Sequence, residues 1–297
     1  MPALPSFKRQ QLLLEFAAIK SQCPEGVYLA PESANAALWS GVYFVRDGPY
    51  TSATLRFQLA FPDSYPDTGP ALNFTTEIFH PLLVPLTTYT FAAGALDPNT
   101  TVSASDHERL TPGSFNLREG LPTWYDTLRN EEISDALDGS MRSASFIESA
   151  IEAPTTAEEK PSLVALLKYM KKAFEDPKFL DHLPLRAAVN TNAWHAWRAH
   201  RGLPRASSRS ISPASMESSR IPLSPGRNPG DWNWDGVWES RVRNGTEESV
   251  SDATLFGSKN SRAANTGFSA IRFTKVDDEK TREIQDTMIR SMGLQAR

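Results

Sequence analysis

The chain has 297 residues, 40% hydrophobic and 22% charged, with a formal net charge of −4. That length suits one large domain or a medium domain with a tail, and the charge gives no reason to expect a nucleic-acid partner. A single cysteine, Cys23, excludes an intrachain disulfide and a Cys-rich zinc site and suits a reducing compartment, and no apolar run reaches the roughly 18 residues of a membrane-spanning helix.

The first twenty residues lack the continuous apolar core of a secretory signal. Ser6 to about Ser21 predicts a helix, with Ser6 as cap and Leu12, Phe16 and Ile19 on one face. Pro24 ends it. Strands are predicted over Gly26–Pro31, Leu38–Arg46, Thr54–Phe61 and Ala71–Thr75. Thr54, Arg56 and Gln58 alternate with Leu55, Phe57 and Leu59, the period of a half-buried strand. Asp47-Gly48-Pro49-Tyr50 supplies a turn, and Pro62, Pro66 and Pro70 break the sheet between the last two strands. Four strands with short turns predict an antiparallel meander.

From about 86 to 160 periodicity fades, and the stretch reads as an inserted, partly disordered loop. Pro161–Phe174 is the clearest helix, with Leu163, Leu166, Leu167, Met170 and Phe174 inward and Lys168, Lys171 and Lys172 outward. A second helix is expected from Leu185 to His200. Core packing is expected for both Trp194 and Trp197, the alternative being that one packs inward and the other meets a partner. The folded domain is expected over 6–202. Residues 203–297 are rich in Ser, Arg, Pro, Gly and Asn at first and read as a low-complexity, mostly disordered tail. Within it, Trp232, Trp234 and Trp238 form an aromatic island that docks either on the domain or on a partner. A short helix within 276–293 would carry Ile284, Met288 and Ile289 on one side.

Phe61-Pro62, Tyr65-Pro66, Pro70 and Phe79-His80-Pro81 resemble the central signature of the ubiquitin-conjugating (E2) family. Trp39 with Gly48-Pro49 and Tyr50 fits the same order, and Asn190 or Asn192 before Ala193-Trp194 resembles that family's final helix start. The resemblance implies an α+β E2 (UBC-like) fold: an N-terminal helix, a four-stranded antiparallel meander and C-terminal helices. It also implies a catalytic cysteine downstream of a His-Pro-Asn corner. Here Leu82 stands in the asparagine place, Ala95 is the residue closest to the cysteine slot, and Cys23 precedes the whole signature. Transfer needs a thiolate, and loss of an oxyanion donor costs on the order of 100- to 1000-fold. The site near His80, Pro81, Leu82 and Ala95 is therefore expected to be degenerate, with no catalytic residue.

The other polar groups read more plainly. His80 is expected to be structural, and His107 solvated. His182, His195 and His200 lack metal-ligand spacing, and Asp126, Glu131 and Glu132 suit a solvated loop. No cofactor is expected. Ser212-Pro213 and Ser224-Pro225 match proline-directed phosphorylation sites.

Within the E2 family, Phe79-His80-Pro81-Leu82-Leu83 with Pro85, the VYLAPES stretch 27–33 and Arg46–Tyr50 resemble the Fused Toes / Akt-interacting members. That implies a non-catalytic subunit partnered by a Hook-type coiled-coil protein and an FHIP-type subunit, linking dynein to endosomes, cytoplasmic and peripheral on that membrane. The rival is a ubiquitin-binding or cofactor variant, which partners an active E2 or sorts ubiquitinated cargo.

Overall fold

The computed structural model describes residues 5–33, 35–87, 110–125, 161–204, 232–256, 271 and 273–291. The expected α+β architecture is present. Helix α1 (Pro5–Ile19) is followed by β1 (Val27–Pro31), β2 (Leu38–Phe44), β3 (Thr54–Ala60) and β4 (Ala71–Phe74). The helix begins one residue before Ser6, which therefore lies inside it. The strands form one antiparallel sheet in the order β1-β2-β3-β4, with Tyr43 opposite Leu55 and Leu59 opposite Leu72. Strand alternation gives the sheet an inner face of Trp39, Tyr43, Leu55, Leu59, Leu72 and Phe74, all at most 1% exposed.

Helix α2 is a short turn (Pro122–Tyr125), and α3 (Leu163–Glu175) is the central helix. The Ser162 hydroxyl caps α3 by accepting the Ala165 N–H at 3.2 Å. The helical repeat of Leu163, Leu166, Leu167, Met170 and Phe174 then faces the sheet, all buried. Asp176 stops α3 and accepts the Lys178 N–H at 2.9 Å, starting α4 (Pro177–His182) with proline in the first turn. Gly48 is required where the turn after β2 meets α3. Its φ is +78°, and a Cβ there would lie 2.1 Å from the Glu175 carbonyl oxygen.

Three expectations are corrected. The stretch 86–160 is not wholly an insertion. Residues 110–125 belong to the core: Ser114 and Phe115 bridge to Asn73 and Leu83, and Phe115, Leu117, Leu121 and Trp124 are buried. Those contacts are non-local, so no local period announces them. The helix expected over 185–200 is divided. A 3-10 turn (Leu185–Ala187) precedes α5 (Thr191–His200), because Asn190 starts a new helix by accepting the Ala193 N–H at 3.1 Å. Trp194 and Trp197 of α5 are both buried, at 4% and 1% exposure, which is the core packing expected for the pair.

The third correction concerns the boundary at 202. Residues 232–256, expected in a disordered tail, contain α6 (Val237–Ser249) and α7 (Asp252–Phe256), packed on the domain. Trp238 is 3% exposed and meets Tyr50 at 5.7 Å and Trp197 at 4.8 Å between ring centres. The Ser249 hydroxyl accepts the Thr54 N–H at 3.0 Å and donates to the Thr246 carbonyl at 2.6 Å. Arg56 donates to the Leu255 carbonyl at 2.8 Å. Gly245 lets α6 approach β4's exit, since a Cβ there would lie 2.8 Å from Ile78. Of the aromatic island, Trp234 and Trp238 dock on the domain and Trp232 stays 46% exposed. Composition misled because the buried residues are a few aromatics spread through polar sequence. Helix α8 (Asp278–Ser291) forms as expected, with Ile284, Met288 and Ile289 41–57% exposed.

Candidate functional site: the His-Pro corner

The corner follows β4 at Phe79-His80-Pro81-Leu82. Four separate elements hold it. The Tyr50 hydroxyl donates to the Phe79 carbonyl at 2.9 Å. The Leu82 N–H donates to His80 Nδ1 at 3.0 Å, which leaves Nε2–H to donate to the Ala173 carbonyl of α3 at 3.1 Å. The Asn190 N–H donates to the Pro81 carbonyl at 2.9 Å. The Asn116 N–H donates to the Leu82 carbonyl at 2.8 Å, while its side-chain amide reaches the Ala187 carbonyl at 2.8 Å.

His80 is fully buried among Phe174, Tyr50 and Phe115, whose ring centres lie 4.5, 5.3 and 5.7 Å away. Burial pushes its pKa down to about 4, with the bond to Ala173 pulling weakly the other way. Both ring nitrogens are engaged and the ring is neutral near pH 7. It ties α3 to the corner and has no lone pair free for a base's work.

Leu82 is 0% exposed, and Leu83 and Val84 beside it are 1% and 0% exposed. The position at which the resemblance expects an asparagine thus points an aliphatic side chain into the core. It presents no hydrogen-bond donor to a substrate. Ala95 lies outside the described residues, as do His107, Asp126, Glu131, Glu132 and both Ser-Pro pairs.

Cys23 lies between α1 and β1, at the β1 edge of the sheet, while the corner leaves from β4 at the other edge. Its thiol is 3.3 Å from the Val27 carbonyl and donates to it, and burial pushes its pKa up. Both effects favour the thiol over the thiolate. The structure does not bring it to His80.

The remaining histidines have local partners. His182 Nδ1 is 2.7 Å from the Lys178 carbonyl, His200 Nδ1 is 2.7 Å from Glu239, and His195 stacks on Trp234. Among the described residues no group of three His, Cys, Asp or Glu side chains could hold a metal ion, and no helix is long and apolar enough to cross a membrane.

Asn116 and Arg241 of α6 were invisible to sequence reasoning, which had Trp238 only as part of an island that docks on the domain or on a partner. Trp238 lies 6.1 Å from Phe79 between ring centres, and the Arg241 guanidinium sits 5.8 Å over the same ring. The second segment therefore backs the corner directly.

Residues 11–86 match the family described as ubiquitin-conjugating enzyme. The chain is similar to the crossbronx homologue of Culex quinquefasciatus, 39% identical over 77 residues, which are 25% of this chain and 33% of that protein. It is similar to AKT-interacting protein homolog B of Xenopus laevis, 39% identical over 83 residues, 28% of each. Crossbronx of Drosophila willistoni is 42% identical over 79 residues, 26% of this chain and 32% of that protein. The chain thus spans about a third or less of the length of the curated relatives it matches.

Proposed function

We propose, from the match of residues 11–86 to the ubiquitin-conjugating enzyme family and their similarity to crossbronx and AKT-interacting proteins, that the protein is an E2 variant of the Fused Toes / AKT-interacting kind and a non-catalytic binding subunit. Its partners in this reading are a Hook-type coiled-coil protein and an FHIP-type subunit, in an adaptor complex that serves dynein-dependent movement of endosomes. The observation that carries the non-catalytic part is Leu82. The side chain after His80-Pro81 is buried and aliphatic, and the only cysteine of the sequence lies at the opposite edge of the sheet. A thioester enzyme needs a thiolate and an oxyanion donor at one place. What supports a binding role is a corner that retains its whole hydrogen-bonded frame without that chemistry.

Two experiments test the reading. Incubated with ubiquitin, activating enzyme and ATP, the protein forms no DTT-sensitive adduct; an adduct abolished by Cys23→Ala refutes the non-catalytic role. In a pull-down at micromolar concentration the protein retains the C-terminal region of a Hook-type protein. Retention of ubiquitin or an active E2 instead replaces the adaptor reading with the cofactor one.

A further inference from the structure

We infer that the outer face of α1 is a docking surface for an anionic lipid bilayer. Helix α1 is apolar on two opposite faces. Leu12 and Ile19 face the core at 2% and 4% exposure. On the far side Phe7 and Leu14 are 64% and 65% exposed, and Gln10, Gln11, Ala17 and Ala18 complete the ridge at helical spacing. Leu13, 43% exposed, flanks it. Single exposed leucines need no explanation, but this ridge carries no charge over its length.

The charges of α1 are arranged around the ridge. Lys8 is bridged to Asp63 at 2.8 Å, and the Glu15 carboxylate accepts the Tyr65 hydroxyl. Arg9 and Lys20 remain. Both are exposed, neither has an ion-pair or hydrogen-bond partner among the described residues, and they stand about 16 Å apart along one rim of the ridge. A ridge of Phe and Leu with unpaired cations on its rim has the chemistry of an interfacial helix: the rings and branched chains enter the headgroup boundary while the cations meet anionic headgroups.

Charge selects this occupant, since Arg9 and Lys20 have no partner among the described residues and stand on the rim of the ridge. Two clefts among the described residues lie elsewhere, along α3 and α4. The inference does not depend on the adaptor reading. It concerns a different face from the His-Pro corner and can stand or fall alone.

The test is flotation of the full chain with vesicles of phosphatidylcholine mixed with phosphatidylserine, against phosphatidylcholine alone, at low and high salt. The expected result is binding to the anionic vesicles that weakens with salt. Leu14→Gln, at an exposed position, should leave the thermal melt unchanged and lower the bound fraction about fivefold or more. The double variant Arg9→Glu with Lys20→Glu should lower it to a similar degree on anionic vesicles. No flotation with anionic vesicles overturns the inference, and so does flotation insensitive to both variants. Concentration-dependent dimerisation in sedimentation, abolished by Leu14→Gln, also overturns it by making the ridge an interface between two copies.

Discussion

Removing the Trp238 side chain tests whether residues 232–256 are part of the folded unit. The indole is 3% exposed and lies against Tyr50 of the 3-10 turn (Gly48–Tyr50), Phe79 before the corner, and Trp197 and His200 of α5. Trp→Ala at such a position costs about 3–5 kcal/mol in transfer and cavity terms. The two T-shaped pairs, with Tyr50 and Trp197, add about 0.5–1.5 kcal/mol each beyond area, part of which is already inside that figure. For a chain of this size about 2–4 °C of melting temperature goes with each kcal/mol, so Trp238→Ala should lower the midpoint by roughly 6–20 °C. The assay is a far-UV circular dichroism melt of the full chain, paired with urea unfolding. Trp232→Ala is the control, since that ring is 46% exposed, and it should cost less than about 1 kcal/mol. If Trp238→Ala melts with the wild type, α6 is not part of the cooperative unit and the reasoning fails.

Protonation gives a second test. The pKa of His80 is about 4 when folded against an ordinary 6.5, so below 6.5 the unfolded chain takes up a proton that the folded one refuses. The contribution is complete above pH 6.5 and is lost as pH falls toward 4, by about 3 kcal/mol over that window at 1.36 kcal/mol per pH unit. Urea midpoints of wild type and His80→Gln should converge in acid. A wild-type midpoint that falls in parallel with the variant's, with the gap between them constant, removes His80 from the account. Leu82→Asn, restoring the residue expected from the resemblance, should destabilise by about 2–5 kcal/mol, because it deletes core volume and buries an amide. It should gain no thioester. Ser249→Ala leaves the Thr54 N–H without its acceptor at a buried site and should cost about 1–3 kcal/mol in urea, with loss of amide protection at Thr54 in hydrogen exchange. Unchanged exchange there would mean water replaces the hydroxyl.

The sequence by itself determined what local spacing encodes. Period two at Thr54–Leu59 and period 3.6 at Leu163–Phe174 placed β3 and α3, because each segment must turn one apolar face to a common core. The order of prolines and aromatics from Phe61 to Pro81 located the corner, and Leu82 and the lone Cys23 already stood out as departures from the resembled pattern. Only the tertiary structure decided that Leu82 faces inward, that His80 has spent both nitrogens, and that Cys23 lies at the far edge of the sheet. It alone joined Phe115 to the sheet edge and Trp238 to Tyr50, partners separated by long stretches of polar chain. Burial of a side chain by a segment remote in sequence leaves no period in either segment. Composition therefore read residues 232–256 as tail, where a few aromatic contacts make them part of the core.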